Sequence, residues 1–213
     1  MKKYFSEFGG SPTRFNPVRL KRQEDNAEPT PEQLAWLAGI FDGEGSIILN
    51  FMKKRKYPYI GFHITNTNIS LLSKVQMILQ IILNRPIKMY KKKNTNYSVG
   101  LNCNMQCYSI DFRAQKDVFK VLNLLMPYLT SKKPKAMLVL EYLKQRLLEQ
   151  HIVGNKNTIS NKSLWFARLI MNNWRGVETE REALKILEMK PQSDLHSNME
   201  SIAEMTMPRF IAE

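Results

Sequence analysis

The chain has 213 residues, with 32 Lys and Arg against 19 Asp and Glu, for a formal charge of +13 with neutral histidine. Hydrophobic residues at 43% and charged residues at 24% suit a chain that folds around a core, as one domain with extensions or two small ones, and exclude global disorder. No apolar run approaches the roughly 18–20 residues that cross a bilayer, and two cysteines, Cys103 and Cys107, are too few for a disulfide scaffold, which points to an intracellular setting.

Residues 1–30 carry Gly9-Gly10, Pro12, Pro17 and Pro29 without an apolar period, and read as a flexible N-terminal arm. Six basic groups against one acid in the first 22 residues suit either a transit peptide or an arm that tracks DNA. Order begins at Thr30, a helix cap followed by Pro31 at the first helical position and Gln33 to complete a capping box. The spacing predicts a helix to about Asp42, with Leu34, Leu37, Ala38 and Phe41 as its core stripe. Ala35, Gly39 and Gly43 recur every four residues on another face. Each Gly inside a helix costs about 1 kcal/mol against Ala, so a close-packing partner is expected to offset it.

After Gly45 the period changes to two. Ile47, Leu49 and Phe51 alternate with Ile48, Asn50, Met52 and Lys54; Ile60, Phe62 and Ile64 alternate with Tyr59, Gly61, His63 and Thr65. This predicts a hairpin turning near Lys56-Tyr57-Pro58, with one apolar and one mainly polar face. A helix is expected over Ser70–Leu83, then a second β region over about 86–113. There Ile87/Met89, Tyr97/Val99/Leu101 and Tyr108/Ile110/Phe112 are the buried alternations, and three strand-like stretches leave the pairing open. Helices follow near Gln115–Leu125 and Ala136–Gln150, and in the tail near Ser163–Asn173 and Thr179–Met189. The plan is α+β, in the order αββαββα, with helices on one face of an antiparallel sheet and the other face open. Residues 31–153 form the expected domain, and 154–213 a helical C-terminal extension that frays after about 191.

The charge is unevenly placed. Residues 1–33 sum to +1, residues 34–150 to +12 and residues 151–213 to zero. A basic centre beside a balanced flank suggests a polyanion-binding face, nucleic acid before an acidic membrane surface; the plain alternative is a solvated lysine-rich surface.

Leu37-Ala38-Gly39-Ile40-Phe41-Asp42-Gly43-Glu44-Gly45 ends a helix in two acids between glycines. A carboxylate beside freed helix-end carbonyls suits a hard cation such as Mg²⁺, which keeps waters for a phosphate substrate; alternatively, both acids merely terminate the helix. The stretch resembles, position for position, the signature of the LAGLIDADG homing endonucleases. Leu37, Ala38, Gly39, Asp42 and Gly45 are identical to it, and the likeness extends from about Pro31 to Gln150.

The resemblance implies a double-strand DNA endonuclease, with one signature copy meaning a homodimer on a near-palindromic site. Glu44, with the Gly43 carbonyl, would hold Mg²⁺ or another divalent ion such as Mn²⁺ or Ca²⁺. Asp42 would cap and support, and Ala35, Gly39 and Gly43 would form the dimer interface. The segment Pro127-Tyr128-Leu129 before Ala136 resembles the one that bears an active-site lysine. Lys132 fits that role best, with Lys133 and Lys135 as competitors. Asn66 occupies the position of an amide that organises catalytic water, with a turn residue as the plainer reading. Four residues on, where some members carry a basic group, this chain has Ser70.

The open sheet face would then lie in the major groove of double-stranded DNA. Its outward candidates are Ile48, Asn50, Met52, Lys54, Tyr59, His63, Lys88, Tyr90, Lys92 and Arg113, with the basic runs Lys53-Lys54-Arg55-Lys56 and Lys91-Lys92-Lys93 better placed for phosphates. The competing reading is a non-catalytic binder, an intron RNA maturase or a degenerate DNA-binding relative. His63, His151 and His196 are scattered and support no His-based nuclease motif. Cys103 and Cys107 read as reduced structural residues, and Trp165 and Trp174 as core or tail-docking residues. Organelle, prokaryotic cytoplasm and phage-infected cell are equally compatible with this sequence.

Overall fold

The computed structural model describes residues 28–51, 58–92, 106–153 and 159–189. Helix α1 spans Pro31–Glu44, and its start is the predicted capping box. The Gln33 N–H donates to Thr30 Oγ1 at 3.3 Å and the Thr30 N–H to Gln33 Oε1 at 3.0 Å. The helix runs two residues further than its apolar period suggested, so Glu44 is its last residue and strand β1, Gly45–Asn50, follows without a loop. That abrupt change needs glycine. Gly45 is buried, and a Cβ there would fall inside the Phe41 ring and against the Phe41 carbonyl.

Strand β2 spans Tyr59–Asn66, helix α2 Ile69–Leu83, β3 Met89–Lys91, β4 Tyr108–Phe112 and helix α3 Gln115–Leu125. The expected αββαββα order is observed. Among the described residues the sheet is antiparallel in the order β1-β2-β4-β3, with β3 and β4 near the two ends of the second β region. Tyr97, Val99, Leu101 and Cys103, the hairpin residues 52–57, the arm through residue 27 and everything from residue 190 on lie outside the described residues.

Register explains the two faces. Ile47 pairs with Phe62, Phe62 with Phe112, and Ile64 with Ile110, so all of these point to one side. There they meet Leu34, Leu37 and Phe41 of α1, Leu72, Val75, Ile78, Leu79 and Ile82 of α2, and Val118, Val121, Leu122 and Leu125 of α3. Phe41 stacks on Phe62 at 4.2 Å between centroids, and Phe62 on Phe112 at 4.8 Å, a ladder that locks α1 to the sheet centre. Offset or stacked pairs add about 0.5–1.5 kcal/mol beyond their buried area.

A short 3-10 turn, Met126–Tyr128, leads to helix α4, Lys133–Val153. Helix α5, Asn161–Asn173, and helix α6, Glu180–Glu188, complete the described chain, each capped by a side chain, Ser160 and Thr179. Phe166, Ala167, Ile170, Val177, Ala183 and Ile186 are buried, so both helices join the same core. Trp174 packs against it, whereas Trp165, read as a core or tail-docking residue, is 45% exposed and not part of the core. No helix among the described residues is long and apolar enough to cross a membrane.

Candidate active site and open sheet face

Three chain segments converge where α1 ends. The Asp42 carboxylate accepts four donors from the segment before α4: Thr130 N–H at 2.7 Å, Thr130 hydroxyl at 2.8 Å, Ser131 hydroxyl at 3.1 Å and Lys132 N–H at 2.9 Å. Burial alone would raise its pKa, but these donors outweigh it and hold the carboxyl below its ordinary value. Asp42 therefore works as a latch between α1 and the start of α4. The Lys132 side chain folds back onto the same residue, its ammonium donating to the Asp42 carbonyl. Burial, and then the nearby Lys135 charge, push the Lys132 pKa down, against the pull of Asp42 and Glu44.

The three candidate lysines part company here. Lys133 Nζ lies 2.8 Å from Glu180 Oε1 on α6, and the Lys135 ammonium lies over the Trp174 ring at 5.7 Å from its centroid. Lys132 is the one that reaches the end of α1.

Glu44 is exposed at that end and makes no hydrogen bond or ion pair among the described residues. Its chemistry fits a hard cation: an acid with free lone pairs beside helix-end carbonyls, two of which are already claimed. The Phe41 carbonyl takes the Gly45 N–H, and the Asp42 carbonyl takes Lys132. Among the described residues no cluster of three or more acids, histidines or cysteines could cage a metal alone. Such a site would have to be completed by water, by phosphate oxygens or by a second copy.

Asn66 ends β2 at the same end of the sheet, where Gly45 pairs with Ile64. Its side-chain oxygen accepts the Asn68 N–H at 2.8 Å, forming a turn that sets Asn68 as the cap of α2. Ser70 follows, exposed. The stripe Ala35, Gly39 and Gly43 is exposed, and a Cβ on either glycine would meet nothing within 4 Å. The cost of two helical glycines is thus not recovered by packing among the described residues.

The open face of the sheet holds the outward candidates that are described. Asn50 pairs with Tyr59, Ile48 with Gly61, His63 with Asp111, and Tyr90 with Ser109, so these side chains share a side opposite the core. Lys88, Lys92 and Arg113 are exposed just beyond strand ends, while Met52 and Lys54 lie outside the described residues. The Lys92 ammonium is 3.4 Å from His63 Nε2 and has only protons to give, so this nitrogen accepts; the Thr65 hydroxyl donates to it at 2.5 Å. Burial first, then the charges of Lys92 and Arg113, depress the His63 pKa against the opposing pull of Asp111, and the ring is neutral at pH 7.

Sequence reasoning passed over Asp111. It is an acid on a basic face, 3.5 Å from the Arg113 guanidinium, which in turn lies 4.9 Å from the centre of the Tyr59 ring. The alternation around Ile110 would have placed it outward.

A family model described as a LAGLIDADG-like domain matches residues 31–125. Residues 31–125 are thus similar to a LAGLIDADG-like domain. The resemblance read from Leu37–Gly45 is borne out, and so is the α+β fold. Among solved structures, a K262A mutant of I-SmaMI is 16% identical with a TM-score of 0.50, over 76% of this chain and 52% of that one. The homing endonuclease I-CvuI, in complex with the I-CreI target in the presence of Mg, is 18% identical with a TM-score of 0.48, over 76% and 96%. I-CeuI, a group I intron-encoded homing endonuclease complexed with DNA, is 16% identical with a TM-score of 0.39, over 82% and 73%. At such identities the likeness concerns the fold. No curated protein sequence matches the chain.

Proposed function

We propose that this protein is a sequence-specific endonuclease that hydrolyses both strands of double-stranded DNA as a homodimer on a near-palindromic site. The observation that carries the reading is the convergence at the end of α1. Glu44 is left without a protein partner while Asp42 holds Lys132 beside it. Relatives crystallised on DNA with Mg or Ca support a divalent ion in this role.

Glu44 and the Gly43 carbonyl would hold that ion, Mg²⁺ or another divalent such as Mn²⁺ or Ca²⁺. When bound, it would polarise the scissile phosphate and lower the pKa of attacking water. Lys132 supplies a positive charge against the developing phosphorane and orients water beside it. Asp42 does no chemistry itself; it fixes the distance between Glu44 and Lys132. Asn66 serves the site through the water its amide nitrogen can bind. Ala35, Gly39 and Gly43 let α1 pack on its own copy about a two-fold axis, bringing two Glu44 carboxylates to the two strands.

On the sheet, Asn50, Tyr59, His63 and Tyr90 face the major groove, and Ile48 is suited to a thymine methyl. Lys88, Lys92 and Arg113 are suited to phosphates and flanking bases, with Met52 and Lys54 continuing the first strand. Domain 31–153 carries this machinery, with the C-terminal helices as an extension.

One observation favours the competing reading of a non-catalytic binder such as an intron RNA maturase. The Asn66 oxygen is committed to a turn and Ser70 replaces a basic group, which thins the water-organising part of the site. A randomised plasmid library incubated with Mg²⁺ separates the two. Discrete double-strand cuts, lost in Glu44→Gln while DNA retention persists, support the nuclease. Retention on intron RNA with no cutting by the native chain supports the binder and sinks the nuclease.

A further inference from the structure

The first turn of α4 is electrostatically awkward. Lys132, Lys133 and Lys135 crowd the end of a helix whose dipole already carries partial positive charge. Left alone, the three ammoniums would repel one another, and any of them would be available to the acids at the end of α1. The fold sends each to a different anchor: Lys132 to Asp42, Lys133 to Glu180 and Lys135 to Trp174. Two of these anchors belong to the C-terminal extension.

That extension is tied to α4 at both ends. At the far end, Glu149 receives the hydroxyls of Ser160 and Ser163, the latter at 2.6 Å, and pairs with the buried Arg146 at 2.8 Å. At the near end stand Glu180 and Trp174. Between them, Phe166, Ala167, Ile170, Val177, Ala183 and Ile186 are buried. The extension is a strap along α4, and its last contact falls one residue from Lys132.

We infer that Glu180 is a positioning residue for Lys132: by holding Lys133 against α6, it sets the first turn of α4 so that Thr130 and Lys132 meet the Asp42 carboxylate. The inference deepens the nuclease reading and rests on it for the role of Lys132. It assigns the extension, which carries none of the signature residues, a part in the geometry of the site.

The test uses the full chain and two readouts. Hydrogen exchange is followed at the Thr130 and Lys132 amides, with Ile78 and Leu122 as references in α2 and α3. In Glu180→Gln the first pair exchanges about two- to fivefold faster, the range that loss of an exposed ion pair allows, while the references hold. The swapped pair Lys133→Glu with Glu180→Lys keeps the net charge and returns exchange to the native rate. Strand cutting on saturating DNA falls by a similar factor in Glu180→Gln with DNA affinity unchanged, and recovers in the swap. Unchanged exchange at Thr130 and Lys132, equal acceleration at the references, or no recovery in the swap overturns the inference. A native chain that cuts no DNA overturns the nuclease reading instead, and the exchange rates still decide the positioning role.

Discussion

Asp42 Oδ2 accepts both the N–H and the hydroxyl of Thr130, at 2.7 and 2.8 Å, from a residue 88 positions away. With Ser131 and Lys132 on the other oxygen, the carboxylate is the point at which α1 and α4 are pinned together. An amide of the same shape offers one acceptor and sets an NH₂ against two donors. Asp42→Asn is therefore expected to cost about 1–3 kcal/mol in urea unfolding at neutral pH. A loss below about 0.5 kcal/mol, the scatter of ordinary surface changes, would mean that the latch is not structural.

The glycines of the signature separate two roles. Gly45→Ala drives a Cβ into the Phe41 ring and carbonyl, and is expected to destabilise the chain by about 1–3 kcal/mol. Gly39→Ala meets open space and should stabilise dilute, dissociated protein by up to about 1 kcal/mol. The same methyl stands in the proposed helix–helix contact, so sedimentation should show weaker self-association. A Gly39→Ala chain that dimerises as tightly as the native one would exclude that contact.

Glu149 supplies a pH dependence whose sign is determined by its partners. Burial would raise its pKa, but the Ser160 and Ser163 hydroxyls, the Arg146 guanidinium and the Ser160 amide overcome it and hold the carboxyl below 4.5. A carboxyl depressed in the folded state stabilises the fold above its unfolded pKa, and that contribution disappears as pH falls through the lower folded value. Between pH 5 and 3 the native chain should lose more stability than Glu149→Gln, in denaturant titrations at each pH. Parallel curves for the two proteins would show that Glu149 is not linked to folding in this way.

The +12 carried by residues 34–150 has a measurable consequence. If the open face meets 6–10 phosphates, DNA affinity should fall by about 10³–10⁵ between 50 and 200 mM salt. A nearly flat plot of log affinity against log salt would argue that these lysines are solvated surface only.

Much of the fold is legible because it is written locally. Thr30, Pro31 and Gln33 settle the start of α1 within four residues, and the alternation of Ile60, Phe62 and Ile64 with Tyr59 and His63 separates core from open face by parity alone. The same parity marks Asp111 as outward, although nothing local reveals that it will sit between His63 and Arg113. Of the two roles open to Trp165, the core one does not hold, because one helix position decides whether the ring meets the core or water.

From the sequence alone came the signature helix, its exposed small-residue stripe, the terminal acid Glu44, the order αββαββα and the location of the basic charge. Each rests on contacts between residues two to four apart, which the backbone periods impose wherever the chain goes. Where each of the three lysines is anchored is visible only in the tertiary structure. Lys132 immediately precedes α4 while Lys133 and Lys135 lie in its first turn, and all three share one local chemistry. They are separated by partners 39 to 90 positions distant, Trp174 from Lys135 being the nearest and Asp42 from Lys132 the farthest. Those contacts exist because burying α5 and α6 against α4 brings Glu180 and Trp174 to the same helix end that Asp42 reaches from the other side.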